Sequence, residues 1–173
     1  GDDIAAALAT RHLMELGHER IGLIAGLDEY ELSGWRVEGW RAAMAEAGLS
    51  TDGLLAQGDF LRQSGRAATP LLLEAGATAI IASNDQMTLG ALEIARERGL
   101  EVPGDLSLVS FDDTPIAWFN HPPLTAITQP IADVTARAVE LIIAERAGQE
   151  VPDGPVVVVP ALTVRQSTGP RRR

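Results

Sequence analysis

Apolar residues recur along the chain in two alternating rhythms. One is the three-to-four spacing of a helix face. The other is the short unbroken apolar run that a strand buried on both faces requires. Asp3 to Leu16 sets Ile4, Leu8, His12 or Leu13, and Leu16 on one side and stops at Gly17, which predicts a first helix. IGLIA (21–25) follows as a strand. Ser33 stands where it would cap a second helix, running to Ala47 and closed by Gly48. LLAQ (54–57) reads as a weaker strand, 63–74 as a helix and AIIAS (79–83) as a strand. Ser83-Asn84-Asp85-Gln86 has capping-box spacing and opens a helix to Arg98, before Gly99. LSLVSF (106–111) is the next strand and TAIT (125–128) a short one. A helix over 131–147 follows, and VVVVP and LTVR close the chain as strands. Alternation at these intervals predicts three α/β/α layers around a mostly parallel sheet.

Composition narrows the function classes. The 173 residues suffice for a sizeable core, and with aromatics at 4% that core must rest on Ala, Leu, Val and Ile. Net charge is −10 and all 14 basic residues are Arg, a balance that repels phosphate backbones. The one basic cluster, Arg171 to Arg173, reads as a solvated tail. Cysteine is absent, which excludes disulfide and thiol chemistry. No apolar run approaches the roughly 20 residues of a membrane span, and GDDIAAALAT lacks the basic start and long apolar stretch of a signal peptide, so a cytoplasmic location is expected. The chain lacks an initiator Met and reads as a piece of something longer.

Ligands of open parallel sheets bind beyond the carboxyl ends of the strands, where loops and helix N-termini converge. After IGLIA comes a loop reaching Ser33 and Arg36; after LLAQ, Asp59 and Phe60; after AIIAS, Asn84 and Asp85; after LSLVSF, Asp112 and Asp113. A guanidinium, an aromatic ring, an amide and carboxylates together suit a polyhydroxylated ligand, with a purine stacked on Phe60 as the other choice. Singly, each has a plainer reading: Ser83 and Asn84 as helix caps, Phe60 as core, Asp113 as a turn acceptor feeding a short helix. Catalysis is not expected. The chain holds no nucleophile elbow, phosphate-binding loop or metal-ligand histidine spacing, so neither metal nor cofactor is implied. His18 is expected to finish the first helix. Asp112 and Asp113, adjacent on a strand, would face opposite ways and make a poor acid–base pair.

LGHERIGLIAG (16–26), SGWRVEGWRAAMAEAGL (33–49), ASNDQMTLGALEIARERGLEVPGDLSLVSFDD (82–113), PPLTAITQP (122–130) and LTVRQST (162–168) resemble the lac repressor (LacI/GalR) family of bacterial transcription regulators. Ser110 departs from the family's usual Gly. The resemblance implies a periplasmic-binding-protein-like lobe that closes with a second lobe on a small-molecule effector, most often a sugar. Residues 1–127 would be the C-terminal lobe, 128–152 a crossover belonging to the N-terminal lobe, 153–167 the return strands and 168–173 a tail. It implies effector contacts at Arg36, Phe60, Asn84 and Asp112, with Gln129 at the hinge. Operator DNA would be reached only through a headpiece outside this sequence, in a homodimer using the helix from Asn84 to Arg98, although Met87, Leu92 and Ala95 there also suit a core. An exported sugar-binding protein of the same architecture is the alternative.

Overall fold

A computed structural model describes residues 1–172. Its elements run α1 (Asp2–Glu15), β1 (Ile21–Ala25), α2 (Glu31–Glu46), β2 (Leu55–Gln57), α3 (Arg62–Glu74), β3 (Ala79–Ala82), α4 (Asp85–Glu97), β4 (Ser107–Asp112), α5 (Pro115–Phe119), β5 (Thr125–Thr128), α6 (Ile131–Arg146) and β6 (Ala161–Thr163). The strands form one sheet in the order β2-β1-β3-β4-β5-β6. The first five are parallel and β6 alone runs antiparallel, pairing Ile127 with Leu162. Helices α1 and α2 pack on each other against one face, α3 and α4 against the other, giving the expected α/β/α layers. β1 and β3 lie between both layers, which is why IGLIA and AIIA are apolar at every position and wholly buried.

The core holds Trp40 and Phe111 among aliphatic residues, and Trp40 Nε1 donates to the Ile21 carbonyl at 3.1 Å. Gly39 permits the close crossing of α1 and α2, since a Cβ there would meet the backbone of Asp3.

Several expectations are corrected. α2 starts at Glu31 with Tyr30 as its last extended residue, and the Ser33 amide bonds the Tyr30 carbonyl. Ser33 therefore lies inside the helix, with a buried hydroxyl that has no partner among the described residues. VVVVP is not a strand. Val156, Val157 and Val159 are exposed and run beside α6, so their β-branched propensity has no ladder to join. The antiparallel return is confined to β6.

Residues 166–172 are docked rather than a loose tail; Arg173 lies outside the described residues. Ser167 bonds Leu108 through backbone and side chain, Gly169 N donates to Ser107 Oγ, and Arg171 N donates to the Leu16 carbonyl. Arg172 sits against Glu101 and Asp105.

The His18 amide does close α1, donating to the Leu13 carbonyl at 3.0 Å, but its side chain bonds none of the helix's last carbonyls. It is buried beneath this segment, donating through Nε2 to the Gly169 carbonyl (3.0 Å) and accepting at Nδ1 from Thr78 Oγ1 (2.9 Å). Burial lowers its pKa below the ordinary 6.5, aided by the nearby Arg171 and His12 charges and opposed by the Gly169 bond. Burial lowers His12 as well, whose Nε2 lies 3.0 Å from Thr168 Oγ1. A histidine whose folded pKa is depressed favours the neutral folded state, so the unfolded chain takes up the proton first. Stability is thus complete above the unfolded value and declines as pH falls below it. Urea unfolding is expected to show a lower midpoint at about pH 5.5 than at about pH 7.5. The His12→Gln/His18→Gln pair should reduce that difference; an equal difference in the variant would place the pH response elsewhere.

Candidate functional site

The carboxyl ends of β2, β1, β3 and β4 form one rim, and three strand spacings separate its outer members, about 14 Å. Phe60 follows β2, Arg36 projects from α2, Asn84 caps α4 after β3, and Asp112 ends β4. Gln129 lies apart, on the connection from β5 to α6.

Arg36 is 5% exposed, with its guanidinium carbon 4.3 Å from the centre of the Phe111 ring. Nε and Nη2 both reach Asp2 Oδ1, at 2.7 and 2.6 Å, and Nη1 donates to the Ser83 carbonyl at 2.5 Å. Of five guanidinium N–H groups, three are engaged and two remain to serve a ligand. Asp2 was not foreseen from the sequence. It lies 34 residues from Arg36, and the one signal it offers is an acidic first turn, which any helix favours.

Phe60 has a left-handed backbone, φ 67°, which is uncommon for a bulky residue and must be held by its surroundings. Its carbonyl accepts from Asn84 Nδ2 at 2.8 Å. Its ring covers Gly26, where any Cβ would fall inside the ring, and Tyr30 lies 6.0 Å away in a tilted arrangement. Asn84 Oδ1 meanwhile accepts the Met87 amide at 2.9 Å. The cap reading of Asn84 therefore holds, and the same side chain fixes the aromatic wall.

Asp112 and Asp113 do not keep strand geometry: φ is 86° and 60°. Asp113 turns inward to Arg165 (2.7 Å), Thr128 Oγ1 (2.6 Å) and Trp118 Nε1 (2.8 Å). Burial alone would push its carboxyl up, but these partners together leave it below the usual range. Asp112 takes no hydrogen bond from any described residue. Burial pushes its pKa up, Arg36 works against that, and the charges of Asp85 and Asp2 add to it. A half-buried carboxylate without donors, beside an arginine with N–H groups to spare, is arranged to meet hydroxyls from outside.

Among the described residues there is no group of three or more His, Asp or Glu side chains fit to hold a metal, and no helix is long and apolar enough to cross a membrane.

The profile of the periplasmic binding protein-like domain matches residues 10–168. An uncharacterized HTH-type transcriptional regulator from the aml 5′ region of Streptomyces limosus is 43% identical over 96% of this chain and 49% of its own length. A regulatory protein of the LacI family from Chloroflexus aggregans superimposes with a TM-score of 0.91 at 34% identity, over 97% of this chain and 62% of that one. The transcriptional regulator CelR in its cellobiose complex gives 0.87 at 34% identity, over 96% and 52%. The chain spans about half the length of the curated relatives it matches.

Proposed function

Because the chain belongs to the periplasmic binding protein-like domain family, in the form carried by LacI-family transcriptional regulators, we propose that it is the effector-sensing portion of such a regulator. The effector is a sugar, and Arg36, Phe60 and Asp112 form one wall of its cleft, with Asn84 holding the aromatic side and Gln129 at the hinge. The single observation that carries this reading is the Asp112 carboxylate, half-buried and without a donor, next to Arg36. The cellobiose bound by CelR supports a sugar over a purine.

The opposing wall belongs to a second lobe. α6 supports this: none of its residues is buried, and Ile131, Val134, Ile142 and Ile143 all stand exposed on a segment that the crossover reading assigns to that lobe. Closure of two lobes on the effector shifts a cytoplasmic homodimer between DNA-bound and released states, with DNA contacted by a separate headpiece and no catalysis involved. Met87, Leu92 and Ala95 of α4 are core residues. That leaves the outer face of α4 for the dimer surface, continued by the exposed Trp118 and Phe119 through the contact of Arg96 with the His121 carbonyl.

A thermal-shift screen of the full-length protein against sugars, sugar phosphates and purines tests the site. A cognate ligand at a hundredfold excess over Kd contributes about 2.7 kcal/mol, a shift of roughly 3–5 °C in a protein twice this length. The shift should vanish in Asp112→Ala. It should also weaken as pH falls through the raised Asp112 pKa, because protonation removes the charge and turns one acceptor site into an O–H donor. A ligand whose shift survives Asp112→Ala places the site elsewhere.

A further inference from the structure

Asp85, in the first turn of α4, carries a buried carboxylate that takes no part in the rim described above. Oδ1 accepts Ser110 Oγ at 2.5 Å; Oδ2 accepts both the amide and the hydroxyl of Thr114, at 2.8 and 2.6 Å. These partners stand on either side of Phe111, Asp112 and Asp113. Left-handed conformations at two successive non-glycine residues are costly and persist only where the surroundings over-determine them. Three hydrogen bonds to an ionised carboxylate are of the strong kind, and the N-terminus of α4 favours the charge. Ser110, the departure from the family's usual glycine, supplies one of the three.

We propose that Asp85 is a positioning residue that clamps the 110–114 turn at both ends and so presents the Asp112 carboxylate to the effector. Its purpose rests on the reading of Asp112 as an effector contact. The clamp itself is a property of the unliganded chain and is tested without a ligand.

Asp85 has a second consequence. The charged groups that face Asp112 are Arg36 from α2, Asp2 from α1 and Asp85 from α4, and the last two hold its proton on. Burial is the main reason that Asp112 holds its proton, and the Asp85 charge adds to it, so Asp85 fixes where Asp112 sits and also raises the pH at which it ionises. A role confined to folding would not touch the second property.

Two measurements on the full-length protein separate these roles. Hydrogen exchange followed by mass spectrometry reads the turn through peptides covering 110–118. Carboxyl carbon NMR on aspartate-labelled protein reads the Asp112 titration. In Asp85→Ala the 110–118 peptides should exchange at least about tenfold faster while peptides over β1 and β3 stay protected. Where Asp85→Ala does not fold, Thr114→Val removes one of the three bonds and should give the same selective loss at smaller amplitude. In Asp85→Asn, which keeps the shape and removes the charge, Asp112 should titrate at lower pH than in wild type. Unchanged exchange of the turn in Asp85→Ala or Thr114→Val overturns the clamp, as does an Asp112 midpoint that Asp85→Asn leaves in place. A normal clamp combined with effector binding that survives Asp112→Ala would instead sink the effector site and leave the clamp standing.

Discussion

Replacing Arg36 with Ala should lower stability by about 2–3 kcal/mol and abolish effector binding together. Removing one partner of a buried ion pair strands the other, and here three groups lose their donor or cover. Asp2 keeps its charge but loses both contacts, the Ser83 carbonyl loses its 2.5 Å donor, and the Phe111 ring loses the cation above it. The Asp2 side chain is 23% exposed, so water offsets part of the loss, and the expected cost falls below the roughly 3–5 kcal/mol of fully buried pairs. Arg36→Lys should recover only part, because an ammonium cannot satisfy Asp2 and the Ser83 carbonyl in one plane. The informative variant is Arg36→Met combined with Asp2→Asn. With both charges gone and the volume kept, most of the stability should return while effector binding does not. Urea unfolding and the thermal-shift screen, run on the same preparations, check the two halves. Binding restored in the double variant would confine Arg36 to a structural role.

The architecture was readable because every interior strand is covered on two faces, and only a nearly continuous apolar run satisfies that condition: IGLIA, AIIA and LSLVSF announce themselves. Where burial is one-sided or missing, the pattern misleads. VVVVP has stronger β propensity than LLAQ, yet LLAQ yields the strand β2, because β1 offers it a ladder and nothing described offers one to Val156–Val159. The rim was legible in outline for a similar reason. The carboxyl ends of parallel strands lie on one edge, so Phe60, Asn84 and Asp112 follow from the order of elements, whereas Arg36 reaches that edge from inside α2. Their partners do not follow in that way. Asp2 meets Arg36 only because α1 and α2 cross closely at Gly39, a packing detail with no local sequence mark. Asp85 was legible only as a carboxylate at the end of β3; with Asn84 serving as the cap, its side chain reaches across to Ser110 and Thr114, which no local pattern marks. The positive φ of Asp112 and Asp113 is likewise set from outside the turn, so strand alternation was the wrong rule for them.

Trp40→Ala is the larger change in stability, about 3–5 kcal/mol, and is expected to leave the effector site intact in whatever fraction stays folded. Trp40 is wholly buried and sits one helical turn beyond Arg36 on α2, so both side chains depend on the same helix. Their ends do different things. The Trp40 indole fills the space under α1 and α2 and donates to the Ile21 carbonyl at the start of β1, while Arg36 reaches the far ends of β3 and β4. Truncation at Trp40 leaves a cavity at the amino-terminal end of the sheet, away from the rim, and a scaffold that is loosened but not rearranged. Trp40→Phe should keep most of the packing and lose the indole bond, costing about 1–2 kcal/mol. If the assignment of roles on α2 is right, Trp40→Phe and Trp40→Ala lower the urea midpoint in that order, and effector affinity measured well below either midpoint equals that of wild type. An affinity that falls in step with the midpoint would mean that α2 moves as one body and that the rim has no rigidity of its own, which would undo the separation of scaffold from site.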